Sequence, residues 1–172
     1  MHPSDAPTSP DTDPLVLYGQ SFPSRLLLGT SRYPSPTVMA QAVARSNPAM
    51  LTASLRRQTA QGDNSGAFWK LLQAMGVPVL PNTAGCHSLQ EAITTAEMAR
   101  EVFGTDWIKL ELIGDDYTLQ PDTLNLPEAA SRLVKSGFKL QLIFKHDLAY
   151  LFFITKQNWN SNTFITHNLC CL

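Results

Sequence analysis

Short apolar runs and helical apolar stripes alternate along the chain and together predict an α/β fold. The apolar runs, which are typical of buried strands, begin near positions 25, 50, 77, 107 and 139. Helix signals lie in the gaps, including Ser35-Pro36 at one start, a Ser88–Glu91 capping box at another, and Gly104 at an end. The spacings of 25, 27, 30 and 32 residues between strand starts predict repeated βα units and a parallel sheet. This pattern fits either an open doubly wound sheet or a (β/α)8 barrel.

The predicted strand at 107–112 carries two opposite charges on one face. Side chains alternate along a strand, so positions 108, 110 and 112 form an apolar face and Lys109 and Glu111 share the other with Trp107. If that face lines a closed interior, Lys109 is desolvated and its amine is pushed toward the neutral, nucleophilic form. Glu111, roughly 6–7 Å along the strand, is then placed to exchange protons with it. The alternative is a half-exposed antiparallel strand with a solvated Lys–Glu pair. Charges facing inward on a central strand favour the barrel, whose function collects at the C-terminal ends of its strands.

Composition excludes several classes of function for this 172-residue chain. Its net charge of −1 and the lack of a Lys/Arg run argue against nucleic-acid binding. The longest apolar run, 148–155, is too short to span a bilayer, so we expect no membrane association. The three cysteines form neither a disulfide framework nor a zinc spacing, which predicts a cytoplasmic protein without a metal site. No glycine-rich nucleotide motif follows a strand, and we expect no cofactor.

Several stretches resemble thiazole synthase, the thiamine-pathway enzyme that builds the thiazole ring. They are Ser24-Arg25-Leu26-Leu27-Leu28-Gly29-Thr30, Tyr33-Pro34-Ser35-Pro36, Leu55-Arg56-Arg57, Leu80-Pro81-Asn82-Thr83-Ala84-Gly85-Cys86 and Thr105-Asp106-Trp107-Ile108-Lys109-Leu110-Glu111. The Pro-Asn-Thr-Ala-Gly turn and the Ile-Lys-Leu-Glu strand are the most specific parts, and the resemblance spans about residues 14–138.

The resemblance implies a (β/α)8 TIM barrel and a defined chemistry. In this family a lysine on the fourth strand forms an imine with 1-deoxy-D-xylulose 5-phosphate, and Lys109 matches that lysine. Glu111 matches a carboxylate placed for proton transfer. Sulfur arrives from the C-terminal thiocarboxylate of a small sulfur-carrier protein, and dehydroglycine completes the ring. A full-length form is expected to be a homo-oligomer.

Four further residues are candidates for substrate binding. Arg56 and Arg57 follow a strand, where a barrel presents them near the active face for a phosphate or carrier contact; the alternative is a solvated or ion-paired loop. Asn82 and Thr83 are candidates for hydrogen bonds to substrate, and turn or capping roles explain them equally well.

The chain divides into three predicted parts. Residues 1–13 are rich in Pro, Ser, Thr and Asp and should be disordered, and residues 14–138 correspond to the N-terminal half of a barrel. Residues 139–172 contain none of the 9 Gly or 12 Pro and show no family similarity, which suggests a frameshift or truncation. We therefore expect a partial barrel of four to five βα units that is inactive in thiazole formation as it stands. Two other interpretations stay open: another Schiff-base barrel such as an aldolase, and a non-catalytic fragment that binds a partner.

Overall fold

Five strands joined by four helices form the framework of the computed structural model, which describes residues 14–56 and 65–142. A short hairpin precedes them. In chain order the elements are β1 (Leu15–Leu17), β2 (Gln20–Phe22), β3 (Leu27–Gly29), α1 (Pro36–Ser46), β4 (Met50–Ser54), α2 (Ser65–Ala74), β5 (Val79–Asn82), α3 (Leu89–Phe103), β6 (Trp107–Leu110), α4 (Asn125–Lys135) and β7 (Lys139–Leu142). The predicted disordered segment 1–13 and most of the predicted tail lie outside the described residues.

The strand order distinguishes the two sheet types that the sequence left open. The sheet runs β3-β4-β5-β6-β7, and every neighbouring pair is parallel. A doubly wound sheet reverses its strand order at a switch point, whereas a barrel adds each new strand beside the previous one. The protein is therefore α/β with the strand order of the TIM-barrel family, as predicted. The described residues form an open five-stranded part of that arrangement.

The helix boundaries follow the predicted signals. Ser35 caps α1 by accepting a hydrogen bond from the Val38 amide, and Pro36 occupies the first helical position. Ser88 caps α3 in the same way through the Glu91 amide, and Gly104 ends that helix with a φ of 61°.

The predicted start of the turn after β5 is wrong. The turn expected at 81–85 begins two residues later, because Pro81 and Asn82 belong to β5. Pairing with β4 holds them in the strand, with Pro81 opposite Ala53 and Asn82 opposite Ser54. Proline has no amide hydrogen to donate to a neighbouring strand. The pairing between β5 and β6 is short, with Asn82 opposite Lys109.

The β1–β2 hairpin covers one end of one sheet face. Tyr18 and Gly19 have φ values of 49° and 75°, as a two-residue type I′ turn requires. The hairpin packs against the N-terminal ends of the sheet strands. Tyr18 and Phe22 contact the Trp107 ring edge-on at centroid distances of 5.4 and 6.0 Å. The residues of this cluster are Leu15, Leu17, Phe22, Leu27, Ala49, Met50, Leu80 and Trp107. We call this hairpin-covered side of the sheet the inner face.

The opposite face of β6 packs on the helices. Ile108, Leu110 and Leu112 are at most 2% exposed and lie in a cluster with residues of α3 and α4. The predicted alternation along this strand is confirmed, because Trp107 belongs to the hairpin cluster on the other side. Burial of these side chains on α3 and α4 fixes which way Lys109 points, since a slip of one residue would exchange the two faces. Among the described helices, none combines the length and the apolar character needed to cross a bilayer.

Candidate active site

Four polar residues stand side by side on the inner face at the C-terminal ends of the strands. Ser54 on β4 is opposite Asn82, Asn82 is opposite Lys109, and Lys109 is opposite Gln141 on β7. Residues opposite each other on neighbouring strands project to the same face, and neighbouring strands lie about 4.8 Å apart. We call these four residues the polar row. The layer beneath it holds Leu80 and Trp107, which belong to the hairpin cluster, together with Thr52 opposite Leu80 and Lys139 opposite Trp107.

Lys109 and Glu111 form an ion pair at the centre of the polar row. Lys109 Nζ lies 2.8 Å from Glu111 Oε1, and the two side chains are 16% and 30% exposed. The strand is parallel and lies between β5 and β7, so the half-exposed antiparallel alternative is wrong. The pair can pass a proton directly between amine and carboxylate, because the two atoms are already at hydrogen-bond distance.

Thr83 fixes the position of Glu111. The Thr83 hydroxyl accepts a hydrogen bond from the Glu111 amide at 2.8 Å and donates one to the Glu111 carbonyl at 2.6 Å. The Thr83 amide also donates to the Lys109 carbonyl at 3.2 Å. This fully buried threonine therefore continues the β5–β6 pairing past the end of the strands. The sequence left two roles open for Thr83, a hydrogen bond to substrate and a turn or capping role. These contacts serve the second, structural role.

Asn82 is placed beside the lysine by register. It is 8% exposed, and its Oδ1 accepts a hydrogen bond from the Ala84 amide at 3.2 Å. That contact turns the chain at the end of β5, as an Asx turn does. Its role in substrate binding stays a prediction.

Arg56 lies at the rim and is ion-paired. Its Nη1 is 3.3 Å from Glu91 Oε2, and the same carboxylate oxygen accepts a hydrogen bond from the His87 amide at 2.8 Å. The hydrogen bond with the Cys86 side chain and the charge of Glu91 raise the pKa of Arg56 above its ordinary value. The His87 amide, followed by Arg56, lowers the pKa of Glu91. Arg56 thus ties the end of β4 to the start of α3 and remains a cation; Arg57 lies outside the described residues.

The remaining titratable groups near this edge do not form a metal site. His87 Nδ1 is 3.4 Å from Asp116 Oδ1, and both side chains are largely exposed. Cys86 is fully buried, with its Sγ 3.4 Å from Thr95 Oγ1. Across residues 14–56 and 65–142, no three His, Cys, Asp or Glu side chains come together as a metal-binding group.

Sequence reasoning missed two members of the polar row, Ser54 and Gln141. Both lie in predicted strands, and the alternation of Lys139 and Gln141 with Leu140 was visible in the sequence. Their position beside Lys109 depends on strand register, which is a long-range property. The alignment of the fifth predicted strand with the fourth, had it been known, would have placed Gln141 beside Lys109.

The fold and the site define a class of protein: an α/β protein of barrel type with a lysine–carboxylate pair at the C-terminal end of a central strand. The family model described as thiazole biosynthesis protein ThiG matches residues 16–151. The chain belongs to this family. The match continues past position 138, where the resemblance in the sequence was expected to end.

Curated relatives are close over the part that they share with this chain. Thiazole synthase from Variovorax paradoxus is 66% identical over 142 residues, and that from Paracidovorax citrulli is 68% identical over 143 residues. Each alignment covers 81% of this chain, and 52% and 53% of the relative, respectively. The chain thus spans about half the length of these relatives.

A crystal structure of a BexX/CysO complex from Amycolatopsis orientalis has a similar fold. Its TM-score is 0.65 at 21% identity, and the match covers 83% of this chain and 59% of that chain. The likeness supports the barrel-type fold.

Proposed function

We propose that this chain carries the imine-forming half of a thiazole synthase of thiamine biosynthesis. The observation that carries the proposal is the Lys109–Glu111 pair, at 2.8 Å, on the inner face of a chain that belongs to the thiazole biosynthesis protein family. The substrate is 1-deoxy-D-xylulose 5-phosphate, whose ketone accepts an amine.

Lys109 acts as the nucleophile and Glu111 as its proton acceptor. Transfer of one ammonium proton to Glu111 leaves a neutral amine, which adds to the ketone carbon and forms a carbinolamine. Glu111 then returns the proton to the carbinolamine oxygen, water leaves, and the protonated imine remains. The direct contact between Nζ and Oε1 allows the first transfer without movement of the backbone.

The later steps need a partner and a second small molecule. Sulfur comes from the C-terminal thiocarboxylate of a sulfur-carrier protein, and dehydroglycine supplies the remaining atoms of the ring. The structural neighbour from Amycolatopsis orientalis was crystallised as a complex of two proteins, BexX and CysO, which supports a protein partner for this fold. Arg56, an ion-paired cation at the rim, is our candidate for a phosphate or carrier contact.

Borohydride trapping tests the lysine. The 172-residue chain is incubated with 1-deoxy-D-xylulose 5-phosphate, reduced with borohydride and mapped by peptide mass spectrometry. The adduct is expected on Lys109 and should be lost in Lys109→Arg, because a guanidinium stays protonated and cannot form an imine. Lys139→Arg is the matched control: Lys139 lies on the same face beside Trp107, 5.1 Å from its ring, and a guanidinium retains that contact. An adduct on another lysine would remove Lys109 from the nucleophile role.

Turnover tests the whole reaction and separates the other interpretations. A chimera of residues 1–142 with the remaining half of the Variovorax paradoxus relative should form thiazole phosphate when carrier thiocarboxylate and dehydroglycine are supplied. Glu111→Gln in this chimera should slow turnover by roughly 10²–10⁴-fold, the usual range for general acid–base catalysis. Cleavage of the sugar chain instead of ring formation would indicate an aldolase-like enzyme, and a chimera with neither activity would favour a binding fragment.

A further inference from the structure

Gln141 holds a buried hydrogen-bond acceptor that has no partner among the described residues. Its side chain is 5% exposed, and its Oε1 is enclosed without a donor. Buried polar atoms are nearly always hydrogen-bonded, and one that is not lowers the stability of the free protein. A group retained at such a cost is a candidate for a partner that arrives from outside.

The position of Gln141 places this acceptor beside the reactive amine. Gln141 is the residue of β7 opposite Lys109, so both side chains rise from the same face on neighbouring strands about 4.8 Å apart. The Gln141 carboxamide is therefore on the strand next to the one that carries the reactive amine. Glu111 comes directly after β6, two residues beyond Lys109, and already contacts the amine.

Three other acceptors near the lysine already have partners. Asn82 Oδ1 accepts from the Ala84 amide, the Thr83 hydroxyl is bound to the Glu111 backbone, and Glu111 Oε1 contacts Lys109. Gln141 Oε1 differs from all three because its lone pairs are unused. The structure thus offers an acceptor for a donor on the bound molecule.

We propose that Gln141 Oε1 accepts a hydrogen bond from a hydroxyl group of the ketone bound to Lys109, and that this contact selects polyhydroxylated ketones over deoxygenated ones. The proposal rests on the imine chemistry proposed for Lys109. A site built to bind a substrate hydroxyl discriminates against the analogue that lacks it, because the protein acceptor then stays unpaired. Gln141 is thereby a specificity-determining residue on the strand next to the nucleophile.

Two ketones and one substitution test the contact in the 172-residue chain. The ketones are 1-deoxy-D-xylulose 5-phosphate and 5-(phosphonooxy)pentan-2-one, which has the same carbon chain and phosphate without the two hydroxyls. The measurement is the ketone concentration that gives half-maximal borohydride trapping on Lys109. Gln141→Leu should raise this concentration about 3- to 10-fold for the hydroxylated ketone, the worth of one neutral hydrogen bond, and leave it unchanged for the deoxygenated one.

Thermal unfolding shows whether the substitution acts by damaging the fold. Leucine removes the orphan acceptor, so Gln141→Leu should raise the Tm of the free protein by about 2–4 °C while it weakens binding of the hydroxylated ketone. Thr95→Val is the matched control, because Thr95 is a buried polar residue of α3 with a partner in Cys86. It should lower the Tm and leave the half-maximal concentration of both ketones unchanged.

The outcomes separate this inference from the function on which it rests. If Gln141→Leu weakens trapping on Lys109 equally for both ketones, or for neither, the role of Gln141 is overturned. The role of Lys109 as the imine lysine then still stands. A parent chain that shows no Lys109 adduct with either ketone overturns both proposals. A lower Tm in Gln141→Leu together with a uniform loss of trapping assigns the residue to packing.

Discussion

Replacing Thr83 by valine tests how this protein holds its carboxylate. The Thr83 hydroxyl makes two hydrogen bonds to the backbone of Glu111, at 2.8 and 2.6 Å, and is fully buried. Valine has nearly the same shape without the hydroxyl, so the substitution removes both bonds and leaves little cavity. We expect the Glu111 amide and carbonyl to lose their partners and the end of β6 to separate from β5.

The contacts set the size of the effect. Each hydrogen bond contributes about 1 kcal/mol net, and a buried backbone group without a partner costs about 1–3 kcal/mol. Because Glu111 is partly exposed, water can satisfy part of this loss, and we expect a destabilisation of about 2 kcal/mol. For a chain of this length that corresponds to a fall in Tm of about 4–8 °C.

The same substitution should slow imine formation. Release of the Glu111 backbone should shift its carboxylate away from Lys109 Nζ. Because small misplacements of a reacting group slow a reaction strongly, the rate of borohydride trapping should fall roughly 10- to 10²-fold. Thr83→Ser keeps the hydroxyl and should retain most of the Tm and of the trapping rate. A Thr83→Val protein with parental Tm and trapping rate would show that the two hydrogen bonds do not position Glu111.

Two further predictions concern the hairpin and the rim. Tyr18→Phe removes a hydroxyl that donates to the Leu140 carbonyl at 3.0 Å and accepts from the Leu140 amide at 2.9 Å, so it should lower the free energy of unfolding by about 2 kcal/mol; an unchanged urea midpoint would contradict this. The His87 amide and then Arg56 lower the pKa of Glu91 below 4.5, so its contribution to stability is present above pH 4.5 and lost as the pH falls through the folded-state pKa. Glu91→Gln should therefore flatten the fall in Tm below pH 4.5. Glu97→Gln on the same helix is the control for the loss of one charge. A parental slope of Tm against pH in Glu91→Gln would show that Glu91 makes no such contribution.

Local patterns predicted the elements of this fold because the physical causes of those elements are local. Residues 107–112 show strand alternation, and packing on α3 and α4 buries the apolar half, so Lys109 and Glu111 were correctly placed on one face. Capping chemistry at Ser35 and Ser88 likewise depends on residues within one turn of the helix start. The second hairpin strand, Gln20–Phe22, was missed because it lacks an apolar run and is held by pairing with β1.

The composition of the site was less predictable because it depends on register. Nothing near Gln141 in the sequence indicates Lys109, and the two meet only because β7 pairs with β6 in one particular alignment. Thr83 shows the same limit: its residue type suited either a substrate contact or a turn, and the position of Glu111 directed both of its hydroxyl bonds to the backbone. The predicted boundary at 138 also placed Gln141 outside the family region, whereas the family match continues to residue 151.

The division of the inner face into two layers determines how a substrate can reach Lys109. The hairpin packs on the lower layer, where Met50, Leu80 and Trp107 are each at most 7% exposed, so the aromatic cluster closes this approach. The polar row lies above that layer and at the C-terminal ends of the strands. For the imine chemistry proposed above, we therefore expect a ketone to approach from the side of the strand ends, past the rim that carries Arg56. Because an imine carbon is bonded directly to Nζ, we expect the rest of such a substrate to extend across the polar row or toward the rim, where the proposed contacts are Gln141 for a hydroxyl group and Arg56 for the phosphate.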